Sequence, residues 1–228
     1  MSDPNGTSAV QLTSLDAPIT GAARWSPDGQ MIAFGSNGEG QFEIFVIPAA
    51  GGKPRRMTSH PALDHAPAFS RDGKWIYFGS NRTGQYQVWK IPVSGGDAVQ
   101  VTRDGGFVSC ESPDGAYLYY NIPDPAAGAS TGLWRLPVSG GKAVKVLDNV
   151  HGATFAVLEQ GIYYIETNSG ETRLQFYHFS SRKSTAVARN LGDVPSTGGL
   201  TVSPDGRTIL YSRLDSSVED LMLVENFR

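Results

Sequence analysis

The chain is predicted to be all-β, a β-propeller of five blades with four antiparallel strands each, closed by its N-terminal strand. Three observations predict this. A Ser-Pro-Asp-Gly turn recurs at Ser26-Pro27-Asp28-Gly29, Ser112-Pro113-Asp114-Gly115 and Ser203-Pro204-Asp205-Gly206, with a variant at Ser70-Arg71-Asp72-Gly73 and a degenerate copy at Leu158-Glu159-Gln160-Gly161. The third positions, 28, 72, 114, 160 and 205, are spaced 44, 42, 46 and 45 residues apart. A period of roughly 40–50 residues carrying four strands is the signature of a propeller. Each unit holds strand-like runs and turn residues in one fixed order, and the two chain ends carry complementary parts of one unit.

The first strand of each unit is short and small, as in Ala22-Ala23-Arg24-Trp25 and Ala66-Pro67-Ala68-Phe69. Strands crowded around a central axis need small side chains. In the turn that follows, Pro presets φ, Asp is well placed next, and Gly tolerates the exit conformation. The second strand is aromatic and β-branched: Met31-Ile32-Ala33-Phe34, Trp75-Ile76-Tyr77-Phe78, Tyr117-Leu118-Tyr119-Tyr120, Ile162-Tyr163-Tyr164-Ile165 and Thr208-Ile209-Leu210-Tyr211. A polar Gly-containing loop leads to the third strand, at residues 43–48, 87–92, 132–137 and 173–178. The pairs Gly51-Gly52, Gly95-Gly96 and Gly140-Gly141 suit tight hairpins with positive φ. A fourth strand follows at 54–58, 98–102 and 143–147.

The fifth unit stops after its third strand, at 220–225. Residues 4–13 match the hairpin and fourth strand at 93–102. Residues 9–14 are therefore expected to complete the last blade, which removes two unpaired sheet edges. The chain is expected to be a single domain over 1–228, with repeats at about 15–59, 60–103, 104–148, 149–190, and 191–228 plus 9–14. A fragment of a longer propeller is the alternative.

Composition bounds the function. A net charge of −3 disfavours a nucleic-acid partner or an anionic membrane surface. No apolar run approaches the roughly 20 residues of a membrane helix, so no membrane insertion is expected. No signal peptide is present in the chain as it stands. Cys110 is the lone cysteine, which rules out an internal disulfide and leaves the compartment open.

The Ser-Pro-Asp-Gly turns, the Ile-Ala-Phe and Ile-Tyr-Phe second strands, the Ser-Asn pairs at 36–37 and 80–81, and the Pro-x-x-Gly-Gly hairpins resemble the WD40-like propeller repeats of the TolB type. The resemblance covers essentially the whole chain. It implies a protein-binding or ligand-sensing module, the sensor or scaffold part of a larger bacterial protein, in a periplasmic or extracytoplasmic setting. No separate N-terminal α/β domain precedes the five repeats, so a Tol–Pal role is not expected. Propeller folds host many functions, so the site must decide.

No catalytic residues are assigned. The repeated aspartates Asp28, Asp72, Asp114 and Asp205 are explained by turns. No Gly-x-Ser-x-Gly elbow occurs, and no hydrolase domain accompanies the repeats. The rival reading is a propeller glycosidase or lyase, whose cleft would need two carboxylates about 5 to 9.5 Å apart. Neither a cofactor nor a metal site is expected: His60, Asp64 and His65 are compact but lack the usual metal-ligand spacing. Cys110 reads as a small buried residue. Trp25, Trp75, Trp89 and Trp134 fall at repeat positions and read as blade core.

Binding is expected on one end of the disc. Alternating strand directions put the repeated turns and Gly-Gly hairpins on one end. The variable loops fall on the other, near residues 15–19, 60–65, 104–107, 148–151 and 192–196, with the longest at 123–131. Variable loops on a rigid scaffold are where binding concentrates. The candidate binding residues are His60, Asp64, His65, Asp148 and His151 on this loop face, with Arg24 and Glu111 deeper in the channel. Glu111 breaks the apolar pattern of Trp25, Phe69, Val157 and Val202. It is expected either to face the channel or to pair with a cation such as Arg24, since an unpaired buried charge is costly. The expected partner is a protein or a small ligand.

Overall fold

The computed structural model describes residues 11–13, 20–38, 40–124, 129–168, 170–195, 199–203 and 206–215. The first blade holds β1 (Thr20–Trp25), β2 (Met31–Ser36), β3 (Glu43–Pro48) and β4 (Arg55–Arg56). The second holds β5 (Asp64–Phe69), β6 (Trp75–Ser80), β7 (Gln87–Pro92) and β8 (Val99–Gln100). Blade 3 is β9 (Ser109–Glu111), β10 (Tyr117–Asp124), β11 (Ala129–Pro137) and β12 (Val144–Leu147). Blade 4 is β13 (Phe155–Val157), β14 (Gly161–Asn168), β15 (Glu171–His178) and β16 (Lys183–Arg189). The described part of blade 5 is β17 (Leu200–Val202) and β18 (Ile209–Tyr211). Each sheet runs in chain order and is antiparallel. The all-β propeller with five blades is therefore observed.

The recurring turn is a closed hydrogen-bonded unit. In the first, the Ser26 hydroxyl donates to Asp28 Oδ1 at 2.6 Å and accepts the Met31 N–H at 2.9 Å, while the Gln30 N–H donates to the same Asp28 oxygen at 3.0 Å. Ser70 and Asp72 repeat this, as do Ser112 and Asp114. These bonds favour the ionised carboxylate and hold Asp28, Asp72 and Asp114 below the usual carboxylate range. The degenerate turn of blade 4 has neither side chain and closes through Leu158 N–H to Gly161 O at 2.9 Å.

Successive blades bury each other. Along β6, Ile76 and Phe78 pack toward blade 1 with Ala33, Ile44, Val46 and Met57. Tyr77, pointing the opposite way, packs toward blade 3 with Leu118, Tyr120 and Leu136. The two-residue period of a strand thus serves two neighbours, and both of its faces are apolar. Tyr119, Leu133 and Leu147 meet Phe155, Val157 and Ile162 at the next seam; Ile165 and Leu174 meet Leu200 at the fourth. Each fully buried aliphatic or aromatic side chain stabilises by about 1.5–3 kcal/mol.

Leu12 packs on Ile32, Phe34, Phe45 and Ile47 of blade 1. That is the relation Met57 has to Ile76, Phe78 and Ile91 of blade 2. The expected pairing of this segment with residues 220–224 lies outside the described residues. Trp25, read as core from the sequence, is 52 % exposed, and no core cluster of described residues includes it.

Parts of the sequence reading are corrected. The fourth strand of blade 3 is β12, close to the expected 143–147, but the expected fourth strands of blades 1 and 2 shrink to β4 and β8, two residues each. The reason is a side chain: the Thr58 hydroxyl accepts the Ile44 N–H at 3.0 Å, and Thr102 does the same for Val88 at 2.8 Å, so a hydroxyl replaces a ladder carbonyl. The expected long loop at 123–131 is largely ladder. Pro123 pairs with Ser130 and Asp124 with Ala129, past a bulge after Asn121; residues 125–128 lie outside the described set.

The turn glycines require positive φ: +69° at Gly29 and +70° at Gly115. A Cβ at Gly115 would meet Arg71 Cβ at an ordinary 3.6 Å, so the constraint is backbone conformation rather than space. Gly115→Val should therefore lower stability by about 1–3 kcal/mol, because a β-branched residue resists that region. Urea unfolding of the variant checks this, and an unchanged midpoint would contradict it.

Candidate functional site

The loop end of blades 1 to 3 gathers an aromatic cluster around one imidazole. His65 stands near the start of β5, where the register shifts between His65 and Ala68, and Ala66 takes φ +51°. Such bulges re-aim side chains. The His65 ring lies 4.3 Å from Phe42, 5.9 Å from Phe107 and 6.1 Å from Tyr86, centroid to centroid. Tyr86 and Phe107 meet edge to face at 4.8 Å. All four rings are half-buried. Phe42 and Tyr86 enter the third strands of blades 1 and 2; Phe107 leads into blade 3. The approach depends on Gly79, opposite His65, since a Cβ there would sit 2.7 Å from the Phe107 carbonyl oxygen.

Charge beneath the cluster is neutralised. Asp64 is fully buried, and Arg82 Nη2 donates to its two oxygens at 3.0 and 2.8 Å. The guanidinium lies over Trp89 at 4.6 Å. Burial lowers the pKa of His65 below 6.5, against the opposing pull of Asp64, so the imidazole is neutral at pH 7. Burial, with Asp64 adding to it, raises the Tyr86 phenol. The result is a neutral, ring-rich surface on a charged, fully paired base. It is suited to stacking and apolar contact, with the imidazole as a neutral hydrogen-bonding group.

The other sequence candidates are dispersed. His60 is exposed; its Nδ1 accepts the Ala62 N–H at 3.1 Å, and its carbonyl accepts Gln41 Nε2 at 2.9 Å. Asp148 is exposed and pairs with Lys145 at 3.1 Å. His151 bridges blades 4 and 5, with Nε2 at 2.7 Å from the Val194 carbonyl and Nδ1 at 3.2 Å from Thr167 Oγ1. Arg24 is exposed and donates to the Ala23 carbonyl at 3.1 Å. His65 and Asp64 thus share a site, while Asp148 and His151 have local partners elsewhere.

Glu111 takes a third arrangement, neither open to the channel nor paired with Arg24. It is buried, and its oxygens accept the Tyr77 hydroxyl and the Arg71 N–H, both at 2.7 Å. Neutral donors from blade 2 hold the charge. The Tyr77 hydroxyl is pushed well above its ordinary range, first by burial and then by this carboxylate. Burial also pushes the Cys110 thiol up, to about 11.

Phe42, Tyr86, Phe107 and Arg82 were not singled out from the sequence. A signal exists in Gly40-Gln41-Phe42-Glu43 and Gly84-Gln85-Tyr86-Gln87, where an aromatic recurs at third-strand entry. Among the described residues, no group of three His, Cys, Asp or Glu side chains is placed to hold a metal ion.

Two outcomes follow. Because the folded-state pKa of His65 is depressed, the unfolded chain binds more protons just below pH 6.5; stability therefore rises with pH up to about 6.5 and is flat above it. His65→Phe should remove this component, and urea unfolding at about pH 5 and pH 7.5 tests it; an equal wild-type–variant difference at both would sink it. Glu111→Ala strands the Tyr77 hydroxyl and the Arg71 N–H and should cost about 1–3 kcal/mol, recovered in part when Tyr77→Phe removes the first of these donors. A strictly additive double-variant cycle would contradict the bond.

The fold recurs in solved structures. TolB from Acinetobacter baumannii matches with a TM-score of 0.78 at 20% identity, over 94% of this chain and 53% of that one. This chain thus spans about half the length of that protein. A putative TolB from Agrobacterium tumefaciens matches with 0.68 at 22% identity, over 87% and 77%. A puromycin-hydrolyzing peptidase from Mycobacterium tuberculosis matches with 0.61 at 15% identity, over 78% and 30%. At these identities the likeness shows the fold alone. No curated protein matches the chain. The family model of the TolB beta propeller domain matches residues 6–127, more than half of the chain, and the chain belongs to that family.

Proposed function

We propose that this chain is a non-catalytic binding propeller that takes a partner protein or ligand on its loop end. The observation that carries the reading is the half-buried cluster of Phe42, His65, Tyr86 and Phe107. Rings held by a rigid scaffold supply large contact area at little entropic cost, as the anchors of interfaces do. His60 stands in the loop leading into His65, and Asp64 with Arg82 forms the base. Asp148, His151, Arg24 and Glu111 belong to the reading as surrounding framework. The single domain of five repeats, with residues 9–14 completing the last blade, is part of it, and the packing of Leu12 supports that closure. An extracytoplasmic setting, and a place as sensor or scaffold within a larger bacterial protein, fit the family.

The buried carboxylates weigh against the glycosidase or lyase alternative. Glu43 accepts Arg56 Nη2 at 2.6 Å and the Thr58 hydroxyl, Asp64 accepts Arg82, and Glu111 accepts Tyr77 and Arg71. Each is committed to structure: Glu43 within blade 1, Asp64 within blade 2 and Glu111 at the seam between blades 2 and 3.

The test is a pull-down with the intact chain. His65→Ala with Tyr86→Ala should weaken capture of its partner by about tenfold or more, and Asp28→Asn with Asp114→Asn should leave it unchanged. Near-UV circular dichroism confirms folding of each. Loss only in the second set, with folding intact, would overturn the assignment; turnover of an oligosaccharide would favour the enzyme.

A further inference from the structure

A cavity of about 790 Å³ opens between blades 3 and 4 on the opposite, turn-bearing end. Its size lies within the roughly 300–1,000 Å³ range of small-molecule sites. Tyr119, Tyr177 and Phe179 line it with rings, and Arg135, Lys145 and Arg182 with cations. Tyr119 and Phe179 are near-parallel at 6.2 Å, and Tyr177 meets Phe179 edge-on at 6.2 Å.

The neighbouring seam explains what is distinctive here. Between blades 2 and 3, the Tyr77 hydroxyl donates to Glu111. Tyr119 is the residue of blade 3 equivalent to Tyr77, and it packs in one cluster with Val157, the residue of blade 4 equivalent to Glu111. The tyrosine is therefore repeated without its carboxylate. The backbone donor is missing as well: Arg71, whose N–H binds Glu111, is replaced by Pro113. In place of that donor stand side-chain cations. Arg135 lies over the Tyr117 ring at 4.7 Å. Lys145 is held by Asp148. Among the described residues, neither Arg135 nor Arg182 has an ion-pair partner. The two carboxylates on the wall are Asp114, held in its turn by Ser112 and Ala116, and Glu159, which is exposed.

We propose that this cleft binds a small carboxylate on an aromatic body, the carboxylate taking here the place that Glu111 takes one seam earlier. Tyr119 would donate to it as Tyr77 donates to Glu111, with Arg135 and Arg182 supplying charge. The ring of the ligand would lie against Tyr177 and Phe179. Charge-assisted bonds make the anion, not the ring alone, the determinant.

The probes are phenylacetate and its neutral counterpart 2-phenylethanol, titrated into the intact chain by ligand-observed NMR. Phenylacetate should bind saturably and about tenfold more tightly than the alcohol, and Arg135→Gln with Arg182→Gln should remove that difference. Val157→Glu, which installs an internal carboxylate beside Tyr119, should abolish phenylacetate binding. His65→Ala should leave it unchanged, which separates this site from the loop end. No saturable binding of phenylacetate, equal binding of the alcohol, or an unaffected arginine variant each overturns the proposal. If Val157→Glu does not fold, the exposed Arg182→Gln and half-buried Arg135→Gln still decide it.

Discussion

A four-stranded sheet of this length cannot bury both of its faces by itself, and everything else in the chain follows from that constraint. The central strands are apolar on both sides, as Ile76, Tyr77 and Phe78 show in three consecutive positions. Alone, such a blade would expose two greasy surfaces. Packed in series, it gives one face to the preceding blade and one to the next. The turn network of Ser and Asp serves the same end. It locks the first strand against the second without drawing on the side chains that must reach the neighbouring blade.

Within such a repeat, chemistry is confined to positions where the pattern is broken. Most seams are closed by carbon against carbon, as Ala33 is with Phe69. The seam between blades 2 and 3 is closed instead by a carboxylate, Glu111, satisfied by a tyrosine hydroxyl and a backbone N–H from the other blade. A buried charge held only by neutral donors is tolerable because both of its oxygens have a partner. The seam between blades 3 and 4 keeps the tyrosine and loses the acid, and there the packing opens into a cleft. At the loop end what breaks the pattern is the residue opposite: Gly79 repeats Gly35 of blade 1, but it faces His65 where Gly35 faces Gly21, and it admits the backbone of Phe107 against its own strand.

How much of this was legible depended on how local the interaction is. The turns and second strands could be read because each is specified within four or five consecutive residues and repeated with a fixed period. The fourth strands of blades 1 and 2 were overestimated because Thr58 and Thr102 place a hydroxyl where a carbonyl was expected, a substitution that propensity does not register. The loop at 123–131 was overestimated because its prolines and small residues resemble a connection, while past Asn121 the ladder still pairs Pro123 with Ser130 and Asp124 with Ala129. His65 was recognisable as a candidate, but its setting was not: three rings from three blades meet on it, and sequence spacing of 23, 21 and 42 residues carries no sign of that convergence.

The two ends of the disc consequently differ in kind as well as in sequence variability. At the loop end, desolvation keeps His65 neutral, and Asp64 is consumed by Arg82, so the surface presents rings without net charge. Apolar contact should dominate there, with only weak dependence on salt. At the turn end, the repeated aspartates are ionised but committed to their own turns, and the cations at the blade 3–4 seam stand beside rings without a buried acid to answer them. Attraction there should be electrostatic and more strongly screened. A neutral stacking surface and a cationic cleft on opposite ends of one stack of blades would suit different ligands. Because each is built from the side chains of separate seams, one can change without disturbing the other.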